Sequence, residues 1–576
     1  MAKASRVEVY KSRHKDLARE KAPYLPMYQL IGEYVMTRKQ DFTVSSNVGE
    51  FETKNLFTCV APNANQKMAS ALVGNLWPNG ARSVRLTRPR FIQDNKENKQ
   101  FYDDITNAFT DILDAPESGV VPALQEYMLD QGSFGISGLY SERTGNLYDP
   151  LRVSALNVKF FLIDEDKDGF IDTVFIDNFW SAKQIVERYG YNNVSEAIKK
   201  SFDAFDISTK YRVTQVIEPR RGDTSKEKGN KKYPVASVHF EWETGKMLLE
   251  SGYKHMPAII TRFLKALGEK YGRSAAMFAM PAVLRANIIW ELIQRCGEKK
   301  LDPPMYMLDA GMLGGDNVNK SAGAMNILNT SGFSGEKPIG TLFDVGNIQD
   351  IYPVIEALVN DITSAFHIDE LMDLNNEKRM TFGEAQIRDR IRGEGLSSIF
   401  KRQEMECFSR WLNSTFDMLQ EEGLLGVERG SEQEKKMLDA GLTPIYMPAD
   451  VLRAYKRGQR IYKIKYISPA SRIMRTEELQ GITTLLDINM GAAGAFQDII
   501  DNIDADKIEE KLYELLNVDD ETKRDTKTKE AIRDARNKML QQQQQAQAVQ
   551  VASDVAMKNA QANSMSMGAL YDRPRG

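Results

Sequence analysis

The sequence predicts an α+β fold. Apolar residues recur at helical spacing in the opening segment and again from 274 to 424. Between 151 and 243 they alternate as strands do, and Asp168-Gly169 sits between two apolar runs as a hairpin turn. At 576 residues the chain has room for several domains and a large buried core.

Taken in order, residues 8–40 read as a helix on Tyr10, Leu17, Tyr24, Met27, Leu30, Ile31 and Tyr34, broken near Pro23 and Pro26. Asn65 to Trp77 is a second amphipathic helix, stopped by Pro78-Asn79-Gly80. SVRLTRP alternates like a strand, 97–129 carries further helices, and QGSFGISGLYSE leads by spaced glycines into strand. VSALNVKFFLID and DGFIDTVFIDNFW form β structure, followed by a short helix capped by Ser181 and ended by Gly190. Residues 211–217 and 233–243 are two more strands, and the polar segment between them is an exposed loop. Residues 274–297 form a helix with Pro281 expected in its first turn. A Gly-rich, Pro-punctuated stretch, 301–347, has little helix signal, and Asp350 to Ile368 is helical again on Val354, Leu358, Ile362 and Phe366. Residues 384–424 hold the longest helical pattern, with Ile387, Ile391, Ile399, Phe408, Trp411, Leu412 and Leu419 on one face. Gly393 and Gly395 predict a kink within it. The remainder to 545 is mostly helical after a short strand at IYKIKYI. The Gln/Ala/Ser-rich end predicts a frayed helix and then a disordered tail.

Composition narrows the function classes. Apolar residues make up 42% and charged residues 27%, a soluble balance. The most apolar run, AVLRANIIWELI, is interrupted by Arg285, Asn287 and Glu291, so no membrane span is expected. The N-terminus lacks the apolar core of a secretory signal, which makes folding in a cytoplasm the expectation. Cys59, Cys296 and Cys407 are far apart, as are His14, His239, His255 and His367, so neither a zinc site nor histidine chemistry is expected. Net charge is −4, against the basic excess by which proteins grip phosphates. Such a charge suits a surface that nucleic acid slides past.

Local motifs are weak. Asp164, Asp166, Asp168 and Asp172, with Gly169, match calcium-loop positions one, three, five, nine and six, but position twelve is Phe175 rather than a bidentate Glu. The strand-like flanks favour a solvated hairpin turn. Arg221-Gly222-Asp223 lies in the polar loop, and GMLGGDNVNKSAG lacks the Gly-Lys-Ser/Thr ending of a phosphate cradle. No GxSxG or HExxH is present, and the carboxylates offer no catalytic pair. Arg388, Arg390, Arg392, Lys401, Arg402 and Arg410 read as a solvated face or as salt-bridge partners of Asp389, Glu394, Glu404 and Glu406. A phosphate-facing role is the alternative.

The order of segments says more than any one of them. APYLPMYQLIGEYV, NQKMASALVGNLWPNGARSVRL, ALQEYMLDQGSFGISGLYSE and FLIDEDKDGFIDTVFIDNFWSAKQIVERYG come first. MPAIITRFLKALGEKYGRSAAMFAMPAVLRANIIWELIQ, NEKRMT running into GEAQIRDR, and KIKYISPASRIMRTEELQGI follow. In that order across residues 20–545 the chain resembles the head-to-tail connecting (portal) proteins of podoviruses. One departure is Ala-Ser-Arg after the Ser-Pro, where that family often has Leu-Ala-Arg.

The resemblance implies a portal fold of wing, two-helix stem, clip, long kinked channel helix and helical crown. It assigns 1–275 to an N-terminal α+β wing, 276–300 to stem helix one, 301–347 to the clip and 348–368 to stem helix two. It assigns 369–383 to a tunnel loop, 384–424 to the long helix, 425–545 to a region including the crown, and 546–576 to a disordered tail. It further implies a ring at one capsid vertex, usually of twelve subunits, assembled in the host cytoplasm and carried in the virion. Double-stranded DNA would pass through it during packaging and ejection. Terminase large subunit, then tail adaptor and tail tube proteins, would dock on it, beside capsid and scaffold proteins. Lys378 and Arg379 of the tunnel loop, with Arg388 and Arg392, would face the channel. No catalysis, cofactor, metal or membrane is implied. The competing readings are another virion structural or core protein, and a metal-dependent nucleic-acid-processing enzyme using Asp164, Asp166 and Asp168.

Overall fold

The computed structural model describes residues 6–39, 41–43, 55–77, 83–93, 95–220, 229–309, 318–329, 339–342, 348–371, 398–466, 479, 481–489, 504–516 and 526–571. The chain divides into two compact units, Met1–Met474 and Arg475–Gly576.

The first unit is a mixture of helices and sheets, as the patterning predicts. Helices α1 (Arg6–Lys21) and α2 (Leu25–Tyr34) are separated by a 3-10 turn at Ala22–Tyr24, where Pro23 removes a helical donor. Helix α3 (Val60–Leu76) precedes strand β1 (Val84–Thr87). Helix α4 (Lys96–Asp114) starts where the Asn95 side chain accepts from the Asn98 amide. Helix α5 (Val120–Phe134) runs into strand β2 (Ile136–Arg143) through Gly135, whose φ of +73 lies in the left-handed region.

Strands β3 (Leu151–Leu156), β2 and β9 (Ala258–Arg262) form one antiparallel sheet, in the order β3-β2-β9. A second sheet is a five-strand meander of β4 (Phe161–Glu165), β5 (Ile171–Ser181), β6 (Lys210–Pro219), β7 (Val235–Glu241) and β8 (Met247–Tyr253). Because side chains alternate across a pleated sheet, it offers two apolar faces. Phe175, Val216, Val238 and Phe240 pack under Val7, Tyr10 and Leu17 of α1. Val213 and Leu248 face the opposite way, onto Ile185 and Tyr189 of α6 (Ala182–Tyr189) and Ile198 of α7 (Glu196–Asp203). The expected Ser181 cap is present as a full capping box with Gln184, and Gly190 ends the helix. Helix α7 and strand β8 were not legible in the sequence, being only eight and seven residues long.

Helix α8 (Ala275–Leu301) and helix α9 (Tyr352–Ala365) pack against each other, and the stretch between them carries a small sheet. Its strands are β10 (Met305–Asp309), β11 (Met325–Asn329) and β12 (Ile339–Thr341), in the order β11-β10-β12, with β10 and β11 parallel. Two expectations about α8 are corrected. Pro281 lies inside the helix and not in its first turn, because Ser274 caps the N-terminus and the buried Ala275, Ala276, Ala279 and Met280 reward an earlier start. The helix is also long and apolar enough, by length and composition, to cross a membrane. An unbroken apolar run is a stricter test than a helix average, and the apolar side of the first half of α8 packs against α3 and α5.

After α9, His367 at φ +53 turns the chain into the short helix α10 (Ile368–Leu371). Among the face residues expected for 384–424, Ile399, Phe408, Trp411, Leu412 and Leu419 are buried. Ile387, Ile391 and the kink at Gly393 and Gly395 lie outside the described residues. Within the described part a π-helical turn, Gln403–Phe408, precedes the helix Ser409–Glu421. Strand β13 (Lys463–Tyr466) then pairs antiparallel with β1, so a segment of the 425–545 region is built into the first unit. In the second unit, helices Ala505–Leu516 and Thr526–Tyr571 are joined by Lys529–Glu509 at 2.8 Å and Arg533–Asp506 at 2.7 Å. The tail expected to be disordered over 546–576 is helical as far as Tyr571. Gln, Ala and Met favour helix even where no apolar stripe is present.

Candidate assembly surface on the stem

The root of α8 is built where two glycine-bearing segments, remote in sequence, meet. A Cβ on Gly135 would lie 2.7 Å from the Gly272 carbonyl oxygen, and one on Gly272 would meet the Gly135 carbonyl, so only glycines allow this approach. Phe263 N–H donates to the Gly135 carbonyl at 2.9 Å, and Leu264 bridges Arg273 across the Tyr-Gly-Arg-Ser turn. Ser274 then caps α8.

The acidic hairpin abuts this root. Its turn is closed by the Asp166 side chain, whose Oδ1 accepts from the amides of Asp168 and Phe170, each at 2.9 Å. Arg262, which is buried, donates to Glu165 and to the Gly169 carbonyl at 2.8 Å. Lys265 also holds Glu165, at 2.9 Å, and Lys270 holds Asp164, at 2.8 Å. On the other side of Arg262 stands the buried Glu406, which Arg402 also reaches at 3.1 Å. Arg410 lies over the Phe170 ring and donates to the Ile171 carbonyl at 3.4 Å; burial pulls its pKa below the usual arginine value. The hairpin turn is thus present with Asp168 exposed at its tip, as expected, while at its start Asp164 and Glu165 are held by cations from the segment before α8. Their lone pairs are engaged within the chain, which is the chemistry of a structural clamp and not of a calcium cage. Among the described residues no group of three or more His, Cys, Asp or Glu side chains could hold a metal ion.

The α8–α9 pair departs from ordinary burial. One side of α8 buries Ala276, Ala279, Met280, Val283 and Ala286, and α9 buries Ile355, Leu358 and Ile362. The other side of α8 leaves Phe278 63%, Ile288 55% and Leu292 51% exposed, and Tyr352 and Val354 of α9 are half exposed. Between the two helices runs an open groove of about 440 Å³. Its floor is Ala279, Ala282, Leu358 and Ala365, and its walls carry Phe278 and Arg285 on one side and Asp361 on the other. Beyond it, Met325, Ile327 and Ile339 of the small sheet are also exposed. Apolar area of this extent on a helix pair is what association surfaces present. A second cavity, about 270 Å³, lies between the β3-β2-β9 sheet and the five-strand meander beside Tyr140, Phe160 and Trp180; its Glu142 and Arg188 pair with each other.

The site residues expected from the sequence, Lys378, Arg379, Arg388 and Arg392, lie outside the described residues, as does the expected tunnel loop from 372 onward. Of the long helix's other cations, Lys401 is exposed, while Arg402 and Arg410 point into the clamp just described. Sequence reasoning anticipated Glu406 as a partner of the helix cations, which Arg402 bears out at 3.1 Å, but missed Arg262. The signal for Arg262 was a lone cation inside the apolar strand AIITRF, a position that demands a buried partner. All three cysteines are free, with Cys407 buried and Cys59 exposed.

A family described as "Bacteriophage head to tail connecting protein" matches residues 8–522 of the chain. The chain is 21% identical over 586 residues to a "Probable portal protein" of Bordetella phage BPP-1, covering 100% of this chain and 99% of that one. It is 23% identical over 272 residues to a "Portal protein" of Salmonella phage epsilon15, covering 44% of this chain and 48% of that protein. Among solved structures, a chain of the "Virion of native gene transfer agent (GTA) particle" is similar at a TM-score of 0.30 and 10% identity. That similarity covers 67% of this chain and 91% of the other.

Proposed function

The chain belongs to the bacteriophage head to tail connecting protein family, and from that premise we propose that it is the subunit of a ring at one capsid vertex through which double-stranded DNA enters and leaves the head. The carrying observation is the similarity to a probable portal protein along the whole of both chains. A ring closes only through heterologous contacts, in which one side of each copy meets a different side of the next. The stem supports this reading physically, since its half-exposed apolar faces need cover that the described residues do not give.

The finer assignments follow. Residues 1–275 form the wing, 276–300 and 348–368 the stem helices, and 301–347 the clip, where terminase and later the tail adaptor dock. Residues 369–383 form the tunnel loop, 384–424 the long helix, and 425–545 include the crown. A net charge of −4 suits a duct that must release DNA, because releasing counterions from few phosphates gives little affinity. Lys378 and Arg379 then act locally on DNA in transit, with Arg388 and Arg392 behind them. The protein works by geometry and carries out no chemistry.

Negative-stain microscopy of the purified chain tests the reading. Rings with a central hole are expected; a stable monomer under every condition overturns it. Reversing Lys378 and Arg379 to Glu together is expected to lower the DNA content of assembled particles, and unchanged content would remove both residues from the channel.

A further inference from the structure

Thr87 and Lys463, 376 positions apart, face each other in the two-stranded antiparallel sheet of β1 and β13, and Arg85 stands opposite Lys465. Residues directly opposite share a face. Val84, Leu86 and Tyr466 are buried on one side, so the other side of this ribbon carries Arg85, Thr87, Lys463 and Lys465.

The two segments that meet here lack acid. The chain holds 80 Asp and Glu among 576 residues, yet none falls within 53–93 or within 451–476. In a chain of net charge −4, the pairing of β1 with β13 thus gathers cations that the sequence keeps in two distant places. Arg90, Arg457, Arg460 and Lys463 are all exposed. Arg460 lies over the Tyr462 ring at 4.8 Å. Arg90, Arg457 and Lys463 have no ion-pair partner among the described residues, whereas Arg453 and Lys456 nearby are paired with Asp450 and Glu428. Beside Arg90, Phe91 is 56% exposed. A face that is merely solvated mixes both signs of charge; this one does not.

Geometry narrows the partner. An antiparallel strand advances about 3.4 Å per residue, close to the roughly 3.4 Å between nucleotides along one strand of a DNA duplex. Cations two residues apart on one face therefore recur at about every second phosphate. The major groove admits a two-stranded ribbon, and a Phe ring finds apolar contact there on a thymine methyl. An acidic polypeptide would answer the charge and leave Phe91 uncovered.

We propose that the outward face of the β1–β13 ribbon, with Arg90, Phe91, Arg457 and Arg460 beside it, binds the phosphate backbone of double-stranded DNA as a contact of its own, apart from Lys378 and Arg379. The choice of DNA rests on the reading above; the site rests on the strand pairing. Phosphate contacts fix position and carry no sequence information, so binding is indifferent to sequence.

A covalently closed circular plasmid separates this contact from passage through a ring, since a closed circle has no end to thread. The full chain is expected to retard the circle in a gel-shift titration, more weakly as salt rises. Arg90→Glu with Lys463→Glu is expected to lower the affinity at least tenfold and the slope of log K against log salt by about 2, and Arg457→Glu alone to lower that slope by about 1. Circular dichroism checks that each variant keeps its fold. A circle that is not retarded, variants with unchanged affinity and slope, or polyglutamate bound in preference to the circle each overturn the inference. If microscopy shows no rings, the ring reading fails, and retardation of the circle still decides the ribbon.

Discussion

Asp130 and Lys39 meet inside the first unit, the ammonium 2.6 Å from one carboxylate oxygen and 2.7 Å from the other, with Asp130 fully buried. Burial pushes the Asp130 pKa up to about 6, and Lys39 opposes that rise. A carboxyl whose pKa is raised on folding favours the folded state more as pH falls through that value toward 3.8. Lys39→Met leaves the charge alone in the core and should cost about 3–5 kcal/mol at pH 7.5. Near pH 5 the carboxyl takes a proton and most of that loss should vanish. Urea denaturation at the two pH values decides it, and equal losses at both would refute the pairing.

His239 gives the opposite slope. It is buried between Tyr189 Oη, 2.8 Å from Nδ1, and Ser237 Oγ, 3.2 Å from Nε2. Burial lowers its pKa to about 3, and the Arg188 charge adds to the shift. The unfolded chain thus takes up this proton first as pH falls below 6.5, and stability is lost progressively toward pH 3. By pH 4 the loss from this group is on the order of 3 kcal/mol. His239→Gln should flatten that part of the stability profile, which denaturation curves between pH 7 and 4 would show. An unchanged slope would count against a neutral buried imidazole.

The hairpin turn can be tested by removing its own cap. Asp166→Ala takes the acceptor from two amides and should cost about 1–3 kcal/mol. Millimolar calcium should leave the melting temperature of the parent chain where it was. A rise of several degrees with calcium, lost in Asp166→Ala, would restore the metal reading.

Deleting residues 546–576 removes the exposed end of the Thr526–Tyr571 helix, where Val551, Val555 and Met557 all face solvent. The far-ultraviolet helical signal should fall, with ring share by mass photometry within twofold of the full chain. Loss of rings would give this end a role in closure.

Local signals were legible where a residue type had one physical use. Asp168-Gly169 marked a turn because Gly169 takes φ +79, and Ser181 marked a helix start because its side chain can cap. Pro281 misled for the same reason that made it informative. Its usual place is the first turn, but buried alanines on either side of it outweigh one missing hydrogen bond. Asp164 and Glu165 were read as part of a solvated turn because the cations that hold them, Lys265, Lys270 and Arg262, lie about a hundred positions further along.

By itself the sequence determined the mixed architecture, the order of its elements and the family, since periodicity, caps and turns act within a few residues and segment order is written along the chain. Only the tertiary structure decided that β1 pairs with β13, that Gly135 lies against Gly272, and that Arg262 is clamped to the hairpin. Those contacts join residues far apart in sequence. Their energies depend on burial and on which charges the fold brings within reach, and neither quantity exists until the chain has closed on itself.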